Sequence, residues 1–127
     1  MAAAFFICPK CKKIIEVIQK SACPTMCCGG EMQELKANTS DGALEKHVPA
    51  VTVAGNVVSV QVGSVEHPMA DDHWIQWIWL ESKQGLQRKA LNPGDKPVVS
   101  FALAEGDAPL AVYEYCNKHG LWKKDLA

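Results

Sequence analysis

The sequence lacks any apolar run long enough to cross a membrane and has almost no net charge. No stretch approaches the ~20 consecutive apolar residues that a transmembrane helix needs. The 127 residues carry a formal net charge of −1, without the basic face that a general nucleic-acid binder presents. The apolar opening, residues 1–7, also lacks the basic region of a secretory signal peptide. We therefore expect a cytoplasmic protein that binds neither membranes nor nucleic acid.

A sustained helical period and internal repeats are absent too, and strand patterns dominate after residue 49. The length and a hydrophobic content of 48% allow one modest core and a small second domain. Gly55-Asn56 lies between two apolar runs and predicts a hairpin turn. The predicted strands are residues 50–53, 57–62, 74–80, 86–91, 98–103 and 110–115. Short strands at this spacing predict a mainly β protein built on an antiparallel, immunoglobulin-like β-sandwich.

Five of the six cysteines lie near the N-terminus. The spacing Cys8-x-x-Cys11, followed by more cysteines, is typical of a metal site, because neighbouring thiolates converge on one ion. Four sulfur ligands suit either zinc or iron. Cys27 and Cys28 are one possible second pair, which leaves Cys23 spare; Cys23 with Cys27 is the competing pair.

The cysteine-rich segment has little apolar surface to bury, so a bound metal would supply folding free energy. Residues 37–42 are rich in small and polar residues and are typical of a linker. We therefore predict a small metal-stabilised domain over residues 1–36 and a β-sandwich domain over residues 37–127.

Histidine is scarce: there are only four, and each lies beside turn residues rather than within a helix or strand pattern. They fall in three motifs, one of which holds the sixth cysteine: Glu45-Lys46-His47-Val48-Pro49, His67-Pro68-Met69-Ala70-Asp71-Asp72-His73-Trp74 and Cys116-Asn117-Lys118-His119-Gly120. Imidazole and thiolate ligands favour ions such as iron and zinc. Four nitrogens and one sulfur exceed the four ligands of structural zinc, and around an octahedral ion they leave one position open. Taken singly, each motif also fits a surface histidine or a buried free cysteine.

Together these motifs resemble the desulfoferrodoxins, the two-iron form of superoxide reductase, over nearly the whole chain. The N-terminal part resembles the desulforedoxin module through Cys8, Cys11, Cys27 and Cys28, and Cys23 departs from the usual pattern. The three histidine motifs resemble the catalytic module of superoxide reductases.

The resemblance implies an enzyme that reduces superoxide to hydrogen peroxide with one external electron and two protons. It implies two iron sites, one held by the four cysteines and one whose ligands are His47, His67, His73 and His119 in a plane with Cys116 as the axial thiolate. Glu45 would occupy the open position of the oxidised iron, and Lys46 would attract superoxide. The resemblance also implies a rubredoxin-like electron donor and a homodimer.

Two other functions remain open on the residues alone. An electron carrier would use both metal sites only to pass electrons, but a carrier gains from closed coordination and five ligands leave a position open. A zinc-ribbon interaction module would account for the N-terminal cysteines and not for the histidines. The residues do not distinguish iron from zinc at the four-cysteine site.

Overall fold

A computed structural model describes residues 3–39, 42 and 44–126. The chain divides into two compact units, Met1–Lys36 and Ala37–Ala127. Within the described part of the chain, no helix is long and apolar enough to cross a membrane. Ser40 and Asp41, in the predicted linker, lie outside the described residues.

Over residues 3–36 the first unit contains five short strands. A three-stranded sheet has the order β2-β1-β5, and β3 and β4 form a separate hairpin. The strands are β1 (Phe5–Ile7), β2 (Ile14–Glu16), β3 (Met26–Cys27), β4 (Gly30–Glu31) and β5 (Gln33–Glu34). Among the described residues of this unit, the buried apolar ones are Ala4, Phe5, Cys8 and Met32. So small a core gives little hydrophobic stabilisation.

A two-residue turn joins β3 to β4. Cys27 pairs with Gly30, so the two turn residues are Cys28 and Gly29. Their φ angles are 53° and 74°, which is the type I′ geometry that suits the twist of a two-residue hairpin. The turn therefore places Cys28 in the left-handed region, which favours glycine.

The described part of the second unit contains one helical turn followed by seven strands. Its sheets have the orders β10-β7-β6 and β12-β11-β8-β9, and every pairing is antiparallel. The elements are α1 (Leu44–His47), β6 (Pro49–Ala54), β7 (Val57–Val62), β8 (Ile75–Ser82), β9 (Leu86–Ala90), β10 (Val98–Ala102), β11 (Pro109–Cys116) and β12 (Gly120–Asp125). The predicted antiparallel β-sandwich is confirmed.

Alternation along β7 builds one side of its core. Val58, Val60 and Val62 are buried, whereas the residues between them are exposed. The buried valines pack with apolar residues of the other sheet, Ile78 and Leu80 among them. The hairpin that joins β6 to β7 turns at Gly55-Asn56, as predicted, with Gly55 at a φ of 60°. Glycine at the first turn position is the signature of a type II′ turn.

Two elements, α1 and β12, were not predicted from the sequence. His47 is the last residue of α1, so the expectation that every histidine lies outside helices was wrong for this one. β12 pairs with β11 along its whole length. It contains Lys123, which lies 5.3 Å from the centre of the Tyr113 ring rather than in a freely solvated tail.

The helical turn α1 lies directly against the loop that follows β7. A side chain at Gly63 would overlap the Glu45 carbonyl oxygen and bring its Cβ within 2.8 Å of the Lys46 carbonyl carbon. The Val65 backbone N–H donates to the same Glu45 oxygen at 2.8 Å, and the Ser64 hydroxyl lies 3.3 Å from it. Glycine at position 63 therefore permits the close approach that places Glu45, Lys46 and His47.

Replacing Gly63 with Ala should lower the free energy of unfolding of the second unit by about 1–3 kcal/mol, because the added methyl group meets rigid backbone. Urea denaturation followed by tryptophan fluorescence measures this, since all four tryptophans lie beyond residue 37. Gly85→Ala is the matched control: its Cβ would meet nothing within 4 Å, and we expect a change within about 0.5 kcal/mol. Equal stability of the two variants would contradict the close approach.

Candidate metal centres

Three separate segments of the second unit bring five metal-ligating side chains together. His47 ends α1, His67 and His73 lie in the loop between β7 and β8, Cys116 ends β11, and His119 lies in the turn before β12. One donor atom from each of these residues lies within 4.8 Å of all the others. The structure thus brings together the four histidines and the one cysteine that the sequence indicates as ligands of this site.

The spacing of the imidazole nitrogens fits a planar arrangement better than a tetrahedral one. His47 Nε2 lies 3.0 Å from His119 Nδ1 and 3.1 Å from His67 Nε2. With metal–nitrogen bonds of 2.0–2.1 Å, neighbouring nitrogens are separated by about 2.9 Å in a square and about 3.4 Å in a tetrahedron. Both observed distances lie closer to the square value.

The four rings form a closed cycle. Successive ring centres in the order His47, His67, His73, His119 and back to His47 are 4.6, 4.8, 5.0 and 4.7 Å apart. Each neighbouring pair is close to perpendicular, with interplanar angles between 73° and 84°. Cys116 adds the sulfur donor, with Sγ at 3.8 Å from His119 Nδ1. Four nitrogens around a ring and one sulfur form a donor set with room for a sixth ligand.

Two of the imidazoles are prepared as neutral ligands. His67 Nδ1 lies 2.6 Å from the Pro68 carbonyl oxygen, and a proton on Nδ1 leaves the lone pair of Nε2 free for a metal. Burial lowers the pKa of His67 to about 4 and also lowers the pKa of His73. His73 Nε2 is buried without a hydrogen-bond partner. A buried polar atom left unsatisfied is costly, and a metal ion at the centre of the ring would satisfy it.

The Cys116 thiol also needs a cation to become a good ligand. Its side chain is fully buried, and burial raises the pKa of this thiol, although the backbone N–H groups of Lys118 and His119 act in the opposite direction. A coordinated metal deprotonates a thiol outright. The two N–H groups then stabilise the thiolate by hydrogen bonding.

Trp122 supports two of the ligands from behind. Its indole ring stacks on the His47 ring at 4.9 Å with an interplanar angle of 26°. Its Nε1–H donates to the His119 carbonyl oxygen at 3.0 Å, and the side chain is almost completely buried. The sequence indicates only a packing residue here, because nothing local in the pattern links residue 122 to residue 47.

The first unit brings together a second cluster, made of Cys8, Cys11, Cys27 and Cys28. The Sγ–Sγ distances are 3.7 Å between Cys11 and Cys27 and 3.9 Å between Cys27 and Cys28. A tetrahedral ion with metal–sulfur bonds of 2.3 Å separates its ligands by about 3.8 Å. Cys23 lies outside this cluster and is exposed, so the structure pairs Cys27 with Cys28.

Hydrogen bonds shift the pKa values of Cys8 and Cys28 in opposite directions. The Cys11 backbone N–H approaches the Cys8 sulfur at 3.5 Å and lowers the pKa of Cys8 to about 6. Hydrogen bonding with Cys11 raises the pKa of Cys28 to about 12. Thiols this close share protons when no metal is bound, and a metal ion takes the place of those protons.

Glu45 and Lys46, the predicted catalytic residues, precede His47 on α1. Glu45 is exposed and Lys46 is half-buried. The Glu45 carboxylate is not among the five converging donors. Their predicted roles at the open position stay predictions.

Comparison with known proteins agrees with this arrangement. The desulfoferrodoxin family model matches residues 39–125. A desulfoferrodoxin from Syntrophotalea carbinolica is 47% identical over 118 residues, covering 93% of this chain and 92% of the relative. One from Nitratidesulfovibrio vulgaris is 44% identical with the same coverage of each chain. The crystal structure of the superoxide reductase from Treponema pallidum superposes with a TM-score of 0.84 at 35% identity, over 98% of this chain and 100% of that one. The chain belongs to the desulfoferrodoxin family.

Proposed function

We propose that this protein is a superoxide reductase, which converts superoxide, one external electron and two protons into hydrogen peroxide. The observation that carries the proposal is the convergence of four imidazoles and one thiol, with nitrogens spaced as in a square. These five residues would hold an iron ion, which would supply the electron and leave room for the substrate. A purely structural metal site would instead close its coordination with protein ligands.

The charges of the donor residues suit an anionic substrate. Neutral imidazoles add no negative charge, so the Cys116 thiolate is the single anion among the five donors. The site therefore keeps a net positive charge around a divalent ion. The complete burial of Cys116 and His67 keeps water away from that side of the site, where the interaction of charges is strong.

Lys46 and Glu45 would act on the open side of the site. Because the whole chain has a net charge of −1, superoxide is weakly repelled at long range. The half-buried Lys46, one residue before His47, can reverse that sign locally. The exposed Glu45 carboxylate is the proposed occupant of the open position when no substrate is present, since an anionic oxygen is a good ligand for ferric iron.

The first unit would serve as a separate iron domain that receives electrons from a rubredoxin-like donor. Its four sulfurs at tetrahedral spacing support electron transfer rather than substrate binding, because four ligands leave no coordination position open on a tetrahedral ion. Cysteines that are grouped as metal ligands rather than paired in disulfides support a reducing compartment such as the cytoplasm. The family resemblance supports a homodimer.

Cys116→Ser should keep the β-sandwich folded but abolish the thiolate-to-iron absorption of the oxidised site. It should slow superoxide reduction by at least ~100-fold. Removing a ligand should lower activity by more than removing a residue that hydrogen-bonds to a ligand. Circular dichroism, visible spectra and stopped-flow mixing with superoxide measure these three properties. Cys23→Ser is the matched control and should leave all three unchanged. Normal colour and turnover in Cys116→Ser would disprove the assigned ligand set.

Changing Cys8 and Cys11 together to Ser should remove the four-sulfur centre and leave the second site able to react once with superoxide. The reason is that all five donors of the second site belong to the other compact unit. Reduced protein is mixed with superoxide in a stopped-flow instrument, and the absorption of the oxidised five-donor site is followed. Failure of that absorption to appear in the double variant, when Cys23→Ser shows it, would contradict this division of roles.

Lys46→Ala should slow the second-order reaction with superoxide by about 10-fold at low salt, because a cation near the substrate position raises anion encounter rates. The remaining rate should also depend less on ionic strength, while iron content and colour stay unchanged. Lys83→Ala, at the opposite end of β8 from His73, is the matched control. Parallel and equally fast salt series for the two variants would rule out a steering role for Lys46.

A further inference from the structure

We propose that Asn117 is a positioning residue that locks the loop of His73 to the loop of Cys116 and His119. The inference rests on the proposed metal site and assigns a role to a side chain that is not itself a ligand. Three of the five donors, His73, Cys116 and His119, would then be held together as one rigid body before any metal binds.

The Asn117 carboxamide bonds to the peptide groups on both sides of His73. Its Oδ1 accepts the Trp74 backbone N–H at 2.9 Å, and its Nδ2–H donates to the Asp72 carbonyl oxygen at 3.0 Å. The backbone of the same residue also contacts this loop, since the Asn117 N–H lies 3.4 Å from the Trp74 carbonyl oxygen. The main chain that carries His73 is therefore fixed immediately before and immediately after the ligand.

The His73 loop has its own internal bonds, but these do not join it to the other ligand loop. Ala70 and His73 exchange backbone hydrogen bonds of 2.9 and 3.1 Å across a two-residue turn. That pairing shapes the loop locally and leaves its orientation toward Cys116 undetermined. The ion pair between Lys118 and Asp72, at 3.7 Å, is exposed and contributes little on its own. The bidentate carboxamide therefore adds a directional side-chain link to the backbone contacts between these segments, which are the Asn117 N–H to Trp74 and the pairing of Ile75 with Cys116.

Asparagine suits this position because the two partners demand opposite chemistry. One is an N–H donor and the other is a carbonyl acceptor, and a carboxamide offers both functions in one plane. Alanine provides neither, and aspartate provides only the acceptor. Hydrogen-bonding partners that hold ligands in place typically change metal affinity by about 10–100-fold when they are removed. The expected consequence of losing Asn117 is therefore faster loss of iron, in addition to any loss of fold stability.

The chain contains a matched control for this interaction. Asn38 makes the same two-bond contact with a backbone: its Oδ1 accepts the Lys123 N–H at 2.9 Å, and its Nδ2–H donates to the Lys123 carbonyl at 3.3 Å. That contact fixes the backbone of β12 at Lys123, which is not adjacent to any metal-donor residue. Asn38 also has a φ of 61°, so alanine there adds backbone strain. Asn38→Ala should therefore cost at least as much stability as Asn117→Ala.

The test loads wild type, Asn117→Ala and Asn38→Ala with ferrous iron without oxygen and adds an excess of a ferrous chelator. Timed samples are oxidised, and the thiolate-to-iron absorption reports the iron left in the five-donor site. We expect iron to leave Asn117→Ala at least ~10-fold faster than wild type and Asn38→Ala at the wild-type rate. Urea denaturation of the metal-free proteins gives the stability of each variant.

Wild-type iron release from Asn117→Ala would overturn the proposal, and so would equally fast release from Asn38→Ala. If Asn117→Ala does not fold, Asn117→Asp decides. This variant keeps the acceptor for Trp74, and its added negative charge attracts Fe²⁺, so faster release would report lost geometry and support the proposal. Release no faster than wild type would overturn it. Because the assay uses no superoxide, an Asn117 effect without superoxide reduction would overturn the proposed function alone.

Discussion

The convergence of five donor atoms within 4.8 Å is the constraint on which the second unit depends. Imidazole nitrogens 3.0 and 3.1 Å apart must either share protons or share a cation, since facing lone pairs repel. The buried and unpartnered His73 Nε2 and the fully buried Cys116 thiol make sharing protons a poor solution. A bound metal ion removes both the repulsion between lone pairs and the cost of burying unpaired polar atoms. The rest of the unit holds the donor atoms in position around the ion.

That placement is achieved by rigid elements and by a few close contacts. Buried strands bring the ligand loops to the site, and site-bearing loops on a rigid scaffold are held more firmly than loops alone. Gly63 lets α1 approach the end of β7, Trp122 supports His47 and His119, and Asn117 joins the last two ligand segments. Each of these contacts acts on the ring or backbone of a ligand, or on the backbone next to a ligand, rather than on the metal.

The two ligand knuckles could be predicted because their chemistry is local, and the family resemblance supplied the other ligands. Cys8-x-x-Cys11 and Cys116-x-x-His119 can be recognised within four residues, and alternation in β7 predicts its buried face. By contrast, α1 is a single helical turn and cannot display a 3.6-residue period. The role of Asn117 depends on bonds to residues 43 and 45 positions away. Contacts of that range leave no pattern in one sequence, which is why the fold and ligands were predictable and their positioning residues were not.

A metal ion does different work in the two units. Among the described residues of the second unit, eleven buried residues form a continuous core. This core folds the sandwich, and the ion only completes the ring of donors. The first unit has few buried apolar residues and holds Cys28 at a φ of 53°, a left-handed conformation that costs about 1–2 kcal/mol outside glycine. Turn strain and crowded thiols oppose folding there, so metal–sulfur bonds must supply the stabilisation that hydrophobic burial does not. One ion therefore maintains the fold of its unit, whereas the other gives its unit reactivity.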